Sequence, residues 1–270
     1  MELDNGAFRS LLQVVHSSYG YDFTEYAEAS MKRRIIHYME LHKINDLQDL
    51  QSVILKDENI FRDFLQELSV TVTEMFRDPG FYKSLREKVV ERLATYPFIK
   101  VWVAGCATGE EVYSLAILFK ESGILDRSVI YATDINQHSL QIAKDGMYDA
   151  ASMKAYTGNY QQSGGTSSFS EYYKSKYNSV MFDKSLKQNI VFSAHNLVMD
   201  KAFNEFQLII CRNVLIYFKQ ELQKRVLDLF NASLCTFGFL GLGSKESLRF
   251  GAEQSFEEVD RRERIYMKIK

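Results

Sequence analysis

Two consecutive acids, Glu110 and Glu111, leave a loop of small residues, Gly105-Cys106-Ala107-Thr108-Gly109, which itself follows the apolar run 98–104. A glycine-spaced loop between a strand and a helix lets backbone N–H groups approach a ligand, and that ligand is most often a phosphate. The exit of this loop argues otherwise. A Walker loop needs Lys and then Ser or Thr, and no lysine follows Gly109. A dinucleotide fingerprint runs G-x-G-x-x-G, whereas the spacing here is Gly105-x-Ala107-x-Gly109. Carboxylates at the loop exit would also repel a pyrophosphate. A ligand with fixed positive charge fits better. S-adenosylmethionine carries an ammonium, a sulfonium and no phosphate, so an acid at the turn can pair with its amino-acid end. The next apolar run, 129–133, ends in Asp134, placed to accept the ribose hydroxyls as the second-strand acid does in dinucleotide folds. The two loop acids also have a plainer reading, because first-turn carboxylates favour any helix N-terminus.

A second chemistry-bearing stretch is Phe206-Gln207-Leu208-Ile209-Ile210-Cys211-Arg212-Asn213, followed by Val214-Leu215-Ile216-Tyr217-Phe218. An apolar strand that ends in Arg-Asn and turns toward a tyrosine places polar groups where open α/β sheets hold their ligands. Methyltransferases acting on base amino groups often carry Asn/Asp-Pro-Pro-Tyr/Phe there, and base-C5 enzymes need a Pro-Cys loop. The only prolines are Pro79 and Pro97, so neither motif exists. The acceptor is therefore expected to be neither a base amino group nor a ring carbon.

These groups need a scaffold. Residues 1 to about 76 read as all-helical, with Phe8, Leu11, Leu12 and Val15 at helical spacing and Gly20 as a stop. A second helix is expected from about 24 to 42, a third from Asp46, and a fourth around Phe61, Phe64, Leu65 and Leu68. Asp78-Pro79-Gly80 breaks the pattern, 81–95 reads as a linker helix, and Pro97 closes it. From Phe98 onward short apolar runs alternate with helical stretches, which indicates a mostly parallel α/β sheet. The runs 256–260 and 265–269 flank a charged turn and read as a terminal hairpin with an antiparallel last strand. The polar, glycine-rich interval 155–189 is too long for a simple connection and is expected to be a small inserted β-subdomain or a flexible lid. The expected domains are a helical domain over 1–78, a linker helix over 79–97 and a Rossmann-like methyltransferase domain over 98–270.

Composition narrows the function classes. The chain has 270 residues, 46% hydrophobic and 25% charged, as in ordinary globular proteins. A formal net charge of -2 provides no global field to recruit nucleic acid. Three cysteines without a C-x-x-C pair suggest neither a disulfide framework nor a zinc site, so no metal is expected. No apolar run reaches the roughly 18 residues of a membrane span, and the N-terminus lacks the basic and apolar regions of a signal peptide. A cytoplasmic monomer is the expectation.

Taken together, Thr71-Val72-Thr73-Glu74-Met75-Phe76-Arg77-Asp78, the stretch 104–114, Ala132-Thr133-Asp134-Ile135, Asn196-Leu197 and Cys211–Phe218 resemble the CheR family, the chemotaxis-receptor glutamate O-methyltransferases. Gly243-Ser244-Lys245-Glu246-Ser247 is similar to that family's late Gly-His-Ser-Glu-Ser segment, with Lys245 as a departure. The resemblance runs over nearly the whole chain in the family's order. It implies a class I methyltransferase domain with a small inserted β-subdomain, preceded by an all-α domain. It implies S-adenosyl-L-methionine as cofactor, with S-adenosyl-L-homocysteine as product. It also implies cofactor contacts at Thr71, Thr73, Arg77, Gly105, Glu110, Asp134, Asn196, Leu197, Arg212 and Asn213. Thr71 stands where the family often has Asn. The implied partner is the cytoplasmic coiled coil of a methyl-accepting receptor.

A glutamate acceptor has a pKa of about 4.3 and is already ionised at neutral pH, so no general base is required. Alignment and water exclusion remain. Arg77 or Arg212 could orient the carboxylate, although tight pairing would stabilise the ground state. A tyrosine near the methyl is therefore expected, with Tyr217 as the candidate beside Arg77; packing next to Phe218 is its other reading. Lys32-Arg33-Arg34 is either a solvated face or a docking site for an acidic receptor. Two other functions stay open: a cofactor-binding signalling scaffold, and a methyltransferase for a non-receptor protein or a small molecule.

Overall fold

A computed structural model describes residues 3–69 and 72–270, so Thr71 lies outside the described residues. The chain divides into two compact units, Met1–Val70 with Tyr217–Val226, and Thr71–Ile216 with Leu227–Lys270.

The first unit holds α1 (Asn5–Tyr19), α2 (Glu28–His42), α3 (Leu47–Lys56) and α4 (Glu58–Leu68). Its helices start where the sequence offers caps: the Asp4, Asp46 and Asp57 carboxylates accept first-turn N–H groups of α1, α3 and α4. Gly20 ends α1 in the left-handed conformation at φ 76°. The periodic residues Phe8, Leu11, Leu12 and Val15 are all buried, in one core with Ile35, Tyr38, Leu50, Phe61 and Phe64. The second helix starts at Glu28 rather than near residue 24. Before it the chain turns at Thr24-Glu25, where the Tyr26 N–H donates to the Phe23 carbonyl, and Tyr26 forms an antiparallel bridge with Phe218.

In the second unit α5 (Pro79–Ser84), a π-helical turn (Leu85–Val89) and α6 (Val90–Leu93) make one helical run. There follow β1 (Ile99–Ala104), α7 (Glu110–Glu121), β2 (Ser128–Asp134), α8 (Gln137–Asp145), β3 (Met147–Asp149), α9 (Met153–Gln162), β4 (Tyr173–Lys176), β5 (Ser179–Phe182) and α10 (Lys184–Lys187). The rest is β6 (Ile190–Ala194), β7 (Phe206–Cys211), α11 (Gln220–Ser233), β8 (Leu234–Leu242), β9 (Phe256–Asp260) and β10 (Ile265–Lys268). Residues 220–226 of α11 fall with the first unit.

The main sheet has the order β6-β2-β1-β7-β8-β10-β9. Strands β6, β2, β1, β7 and β8 pair in parallel, and β10 pairs antiparallel to both β8 and β9, as the terminal hairpin pattern requires. β1 and β7 are buried at all but one position each, the near-continuous apolar pattern of strands covered on both faces. Strand order reverses on either side of β1, so the crevice beyond the carboxyl ends of β1, β2 and β7 is the ligand-binding position of this Rossmann-like fold.

Two elements differ from the sequence expectation. β6 escaped notice because its apolar run is only Ile190-Val191-Phe192, on an edge strand with no fully buried position. The inserted subdomain is a three-stranded sheet, β3-β5-β4, that begins at Met147 instead of near residue 155 and includes α9. The serine- and glycine-rich stretch 163–168, largely exposed, is tied to the fold at several points. Ser163 is buried, a Cβ on Gly165 would lie 2.2 Å from the Tyr160 ring, and the Thr166 N–H donates to Glu121.

Candidate cofactor site

β1 delivers the chain into a loop that only small residues can follow. Gly105, Ala107 and Gly109 adopt φ of 74°, 47° and 94°, in the left-handed region. A Cβ on Gly105 would stand 2.5 Å from a methyl of Val214, and one on Gly109 would stand 2.7 Å from the Ala143 Cβ. The N–H groups of Gly105 and Cys106 both donate to the Thr133 carbonyl, at 2.8 and 2.9 Å, which ties the loop to the end of β2.

Asp134 completes that junction. Its Oδ2 accepts the Ala107 N–H and its Oδ1 accepts the Asn136 N–H, each at 2.8 Å. With the Ile135 N–H as a further backbone donor, the carboxylate still retains acceptor capacity for a hydroxyl. Burial raises the Asp134 carboxyl above its ordinary range, and the backbone donors oppose the rise. The Asp134 carbonyl accepts the His195 N–H at 3.2 Å, which brings the Asn196-Leu197 turn to the same end of the sheet. Asn196 is partly committed to that turn: its Oδ1 accepts the Val198 N–H, and its own N–H donates to Asp200.

The two loop acids have different surroundings. Glu110 is 6% exposed and accepts the Thr108 hydroxyl at 2.6 Å; no ion pair among the described residues includes it. Burial pushes its carboxyl up, against the Thr108 bond. The insert adds phenols here. The Tyr148 hydroxyl donates to the Thr108 carbonyl at 2.8 Å, and Tyr156 is pushed up to about 12 by burial and by the Glu110 charge. A buried carboxylate lacking a cation fits the ammonium of S-adenosylmethionine, because unpaired buried charge is costly.

Glu111 is paired inside the protein. It meets the Arg212 Nη1 at 2.8 Å, while Arg212 Nη2 donates to Asp78 at 2.7 Å and to the Arg77 carbonyl at 3.0 Å. The guanidinium also lies 4.3 Å from the Phe81 ring centre. Arg212, expected as a cofactor contact, has a side chain 2% exposed; Nη1 and Nη2 face protein groups, while the buried Nε has no partner among the described residues. Its work is to brace the segment that carries Arg77. There Phe76 and Asp78, neither of them glycine, hold φ of 52° and 55°, each costing about 1–3 kcal/mol. Ser114 Oγ accepts the Phe76 N–H, which fixes the other side of the same bend. Arg77 itself is half-buried and donates to the Val72 carbonyl at 3.3 Å; Thr73 is half-buried nearby in sequence.

Asn213, at φ 60°, opens the turn after β7. Its N–H is held at 2.9 Å by Glu246, a residue that sequence reasoning gave no role beyond the late motif.

The remaining candidates lie in the helical unit. Tyr217 is half-buried, with the Arg34 guanidinium 4.9 Å from its ring centre, and its carbonyl accepts the Ala27 N–H. Arg34 donates to the Leu68 carbonyl, and Lys32 pairs with Glu28 at 2.7 Å and bonds Asn5. Arg33 is exposed. No cluster of His, Cys, Asp and Glu among the described residues has metal-site geometry, and no described helix is long and apolar enough to cross a membrane.

Comparison with known proteins assigns both parts of the chain. Residues 71–265 match the SAM binding domain of CheR methyltransferase, and residues 6–69 match its all-alpha domain. A Pseudomonas putida protein named methyltransferase Cher3 is 49% identical over 261 residues, which is 96% of either chain. A Listeria innocua chemotaxis protein methyltransferase is 31% identical over 87% of this chain and 88% of its own. A Vibrio cholerae chemotaxis protein methyltransferase 1 is 27% identical over 97% of this chain and 96% of its own. With both domains matched in order along the chain, the protein belongs to the CheR family of S-adenosylmethionine-dependent methyltransferases.

Proposed function

We propose that the protein methylates glutamate side chains of a chemoreceptor-type signalling protein, giving glutamate methyl esters and S-adenosylhomocysteine. The observation that carries this reading is the buried, cation-free Glu110 on the glycine turn, with Asp134 beside it, in a chain whose relatives are named chemotaxis methyltransferases.

When bound, S-adenosylmethionine supplies a methyl that gains a bond to the acceptor oxygen as its bond to sulfur breaks, the electron pair staying on sulfur. The residues prepare that displacement. Glu110 holds the ammonium end, Asp134 the ribose hydroxyls, and the Asn196-Leu197 turn flanks the adenine. Thr73, Gly105 and Asn213 shape the pocket, and Thr71 belongs to the same proposed set. Arg77 orients the acceptor carboxylate, on a bend that Arg212 and Ser114 keep in place. Tyr217 is the proposed neighbour of the reacting methyl, and Arg33 with its neighbours Lys32 and Arg34 the docking face. A carboxylate and a sulfonium cancel their charges as they react, so exclusion of water favours the transfer.

The test is methyl-labelled cofactor incubated with the protein and receptor-containing membranes, followed by peptide mapping. Label on receptor glutamates, released by mild base as an ester should be, is the expected result. Label confined to small molecules or other proteins would overturn the acceptor assignment. Cofactor binding with no transfer to any acceptor would favour a signalling scaffold.

A further inference from the structure

Glu246 is a buried acid with no cation. It is 5% exposed and forms no ion pair among the described residues. Its partners are backbone donors instead. Oε2 accepts the N–H groups of Gly243 at 2.7 Å and Asn213 at 2.9 Å; Oε1 accepts Val214 at 2.8 Å and, more loosely, Ile216 at 3.4 Å. Three of the four donors belong to the turn after β7, where the chain has left the sheet and its N–H groups have no ladder to join. A carboxylate is the side chain that suits them, since it accepts through both oxygens and donates through neither.

The geometry around the clamp is close. A Cβ on Gly243 would lie 2.6 Å from Glu246 Oε2 and 2.8 Å from the Asn213 nitrogen, so the glycine lets the two strand ends approach. Asn213 stays in the left-handed region at φ 60°. The next residue, Val214, has its methyl where any Cβ on Gly105 would stand, 2.5 Å away. The 213–216 turn is therefore the wall against which the Gly105 loop is seated.

We propose that Glu246 is a positioning residue for cofactor binding: its carboxylate gathers the backbone N–H groups of the 213–216 turn and so sets the wall that seats the Gly105–Glu110 loop. This rests on the reading of that loop and Asp134 as the cofactor site. Lys245, the departure from the family pattern, is exposed and outside the clamp.

The experiment uses the full chain and S-adenosylhomocysteine as probe. Affinity is measured by calorimetry for Glu246→Gln, Glu246→Asp, Asp134→Ala and Leu125→Ala, with thermal midpoints and amide exchange alongside. Gln offers one acceptor oxygen and turns a donor toward the same N–H groups; Asp keeps the charge but is one methylene short. Both are expected to weaken binding by about tenfold or more and to speed exchange at residues 213, 214 and 243, because stranded buried donors are costly. Leu125 is buried away from the loop, and its truncation is expected to lower the midpoint while leaving affinity unchanged. Wild-type affinity in folded Glu246→Gln, with binding still lost in Asp134→Ala, overturns the positioning role and leaves the site reading standing. Wild-type affinity in both overturns the two together. Loss of binding in Leu125→Ala equal to that in the Glu246 variants also overturns the proposal, since general destabilisation would then account for it. Should Glu246→Gln not fold, Glu246→Asp decides by the same comparison.

Discussion

Glu110 and Asp134 are carboxylates that their surroundings push toward protonation, each mainly by burial. A ligand ammonium beside Glu110 favours its ionised form, so binding needs the deprotonated acid. For a raised acid the sign is fixed: affinity is full above the raised pKa and falls as pH drops through it, a window that opens above the ordinary value of 4.5. Calorimetry with S-adenosylhomocysteine from pH 8 down to 5 should show weakening in wild type and a shallower slope in Glu110→Gln, whose affinity is already reduced at neutral pH; parallel slopes would sink the ammonium assignment. Arg212 makes a different prediction. Arg212→Ala strands buried Glu111 and should cost about 3–5 kcal/mol in denaturant unfolding. Glu111→Gln should cost less, because Arg212 keeps Asp78 and the Arg77 carbonyl. Tyr217→Phe keeps the ring beneath Arg34, so an unchanged melting midpoint with reduced kcat supports its catalytic role, and unchanged kcat removes it. Glu110 and Asp134 could be singled out in the sequence because Glu110 opens the helix straight after the glycine turn and Asp134 ends the next strand. The Glu111–Arg212 pair was not, since the partners are 101 positions apart and meet only when β1 and β7 lie side by side.

The inserted element is anchored at the end of α7. Glu121 accepts the hydroxyls of Tyr160 and Tyr172, the latter at 2.9 Å, and the Thr166 N–H, and pairs with Arg86 from the π-helical turn. Asn159 of α9 donates to the Met75 carbonyl at 3.0 Å, beside the strained bend that carries Arg77. The same insert sets Tyr148 and Tyr156 around Glu110. Glu121→Ala should therefore loosen the segment 160–172, read as faster amide exchange there, and weaken S-adenosylhomocysteine binding without touching a proposed contact residue. Faster exchange with unchanged affinity would separate the insert from the site. The alternating strands and helices of the sheet, its terminal hairpin and the four-helix start could be read from hydrophobic period. β3 could not, being three residues long, and neither could β6, whose apolar run is only three residues on the sheet edge. The anchor was invisible for the same reason as the ion pair: tyrosines of an irregular segment declare no partner in sequence.

At the scale of the whole chain, a net charge of -2 gives no long-range attraction for an acidic receptor, so any steering must come from a local face. Three adjacent cations on α2 looked equivalent in sequence, but the helical unit uses them differently. Lys32 is engaged by Glu28 and Asn5, Arg34 by the Leu68 carbonyl and the Tyr217 ring, and Arg33 alone of the three is exposed. Burial also lowers the Arg34 pKa, in keeping with a side chain that has left water. Charge reversal should therefore split by residue. Arg34→Glu sets a carboxylate against a carbonyl and a ring face and should lower the thermal midpoint. Arg33→Glu should leave the midpoint unchanged and slow receptor methylation a few-fold at low salt, where steering acts over the longest range. The effect should fade as salt rises, because the screening length contracts to about 8 Å at physiological ionic strength. A rate for Arg33→Glu equal to wild type at low salt would remove this face from docking, and a deficit that persists unchanged in high salt would assign Arg33 a short-range contact in place of steering.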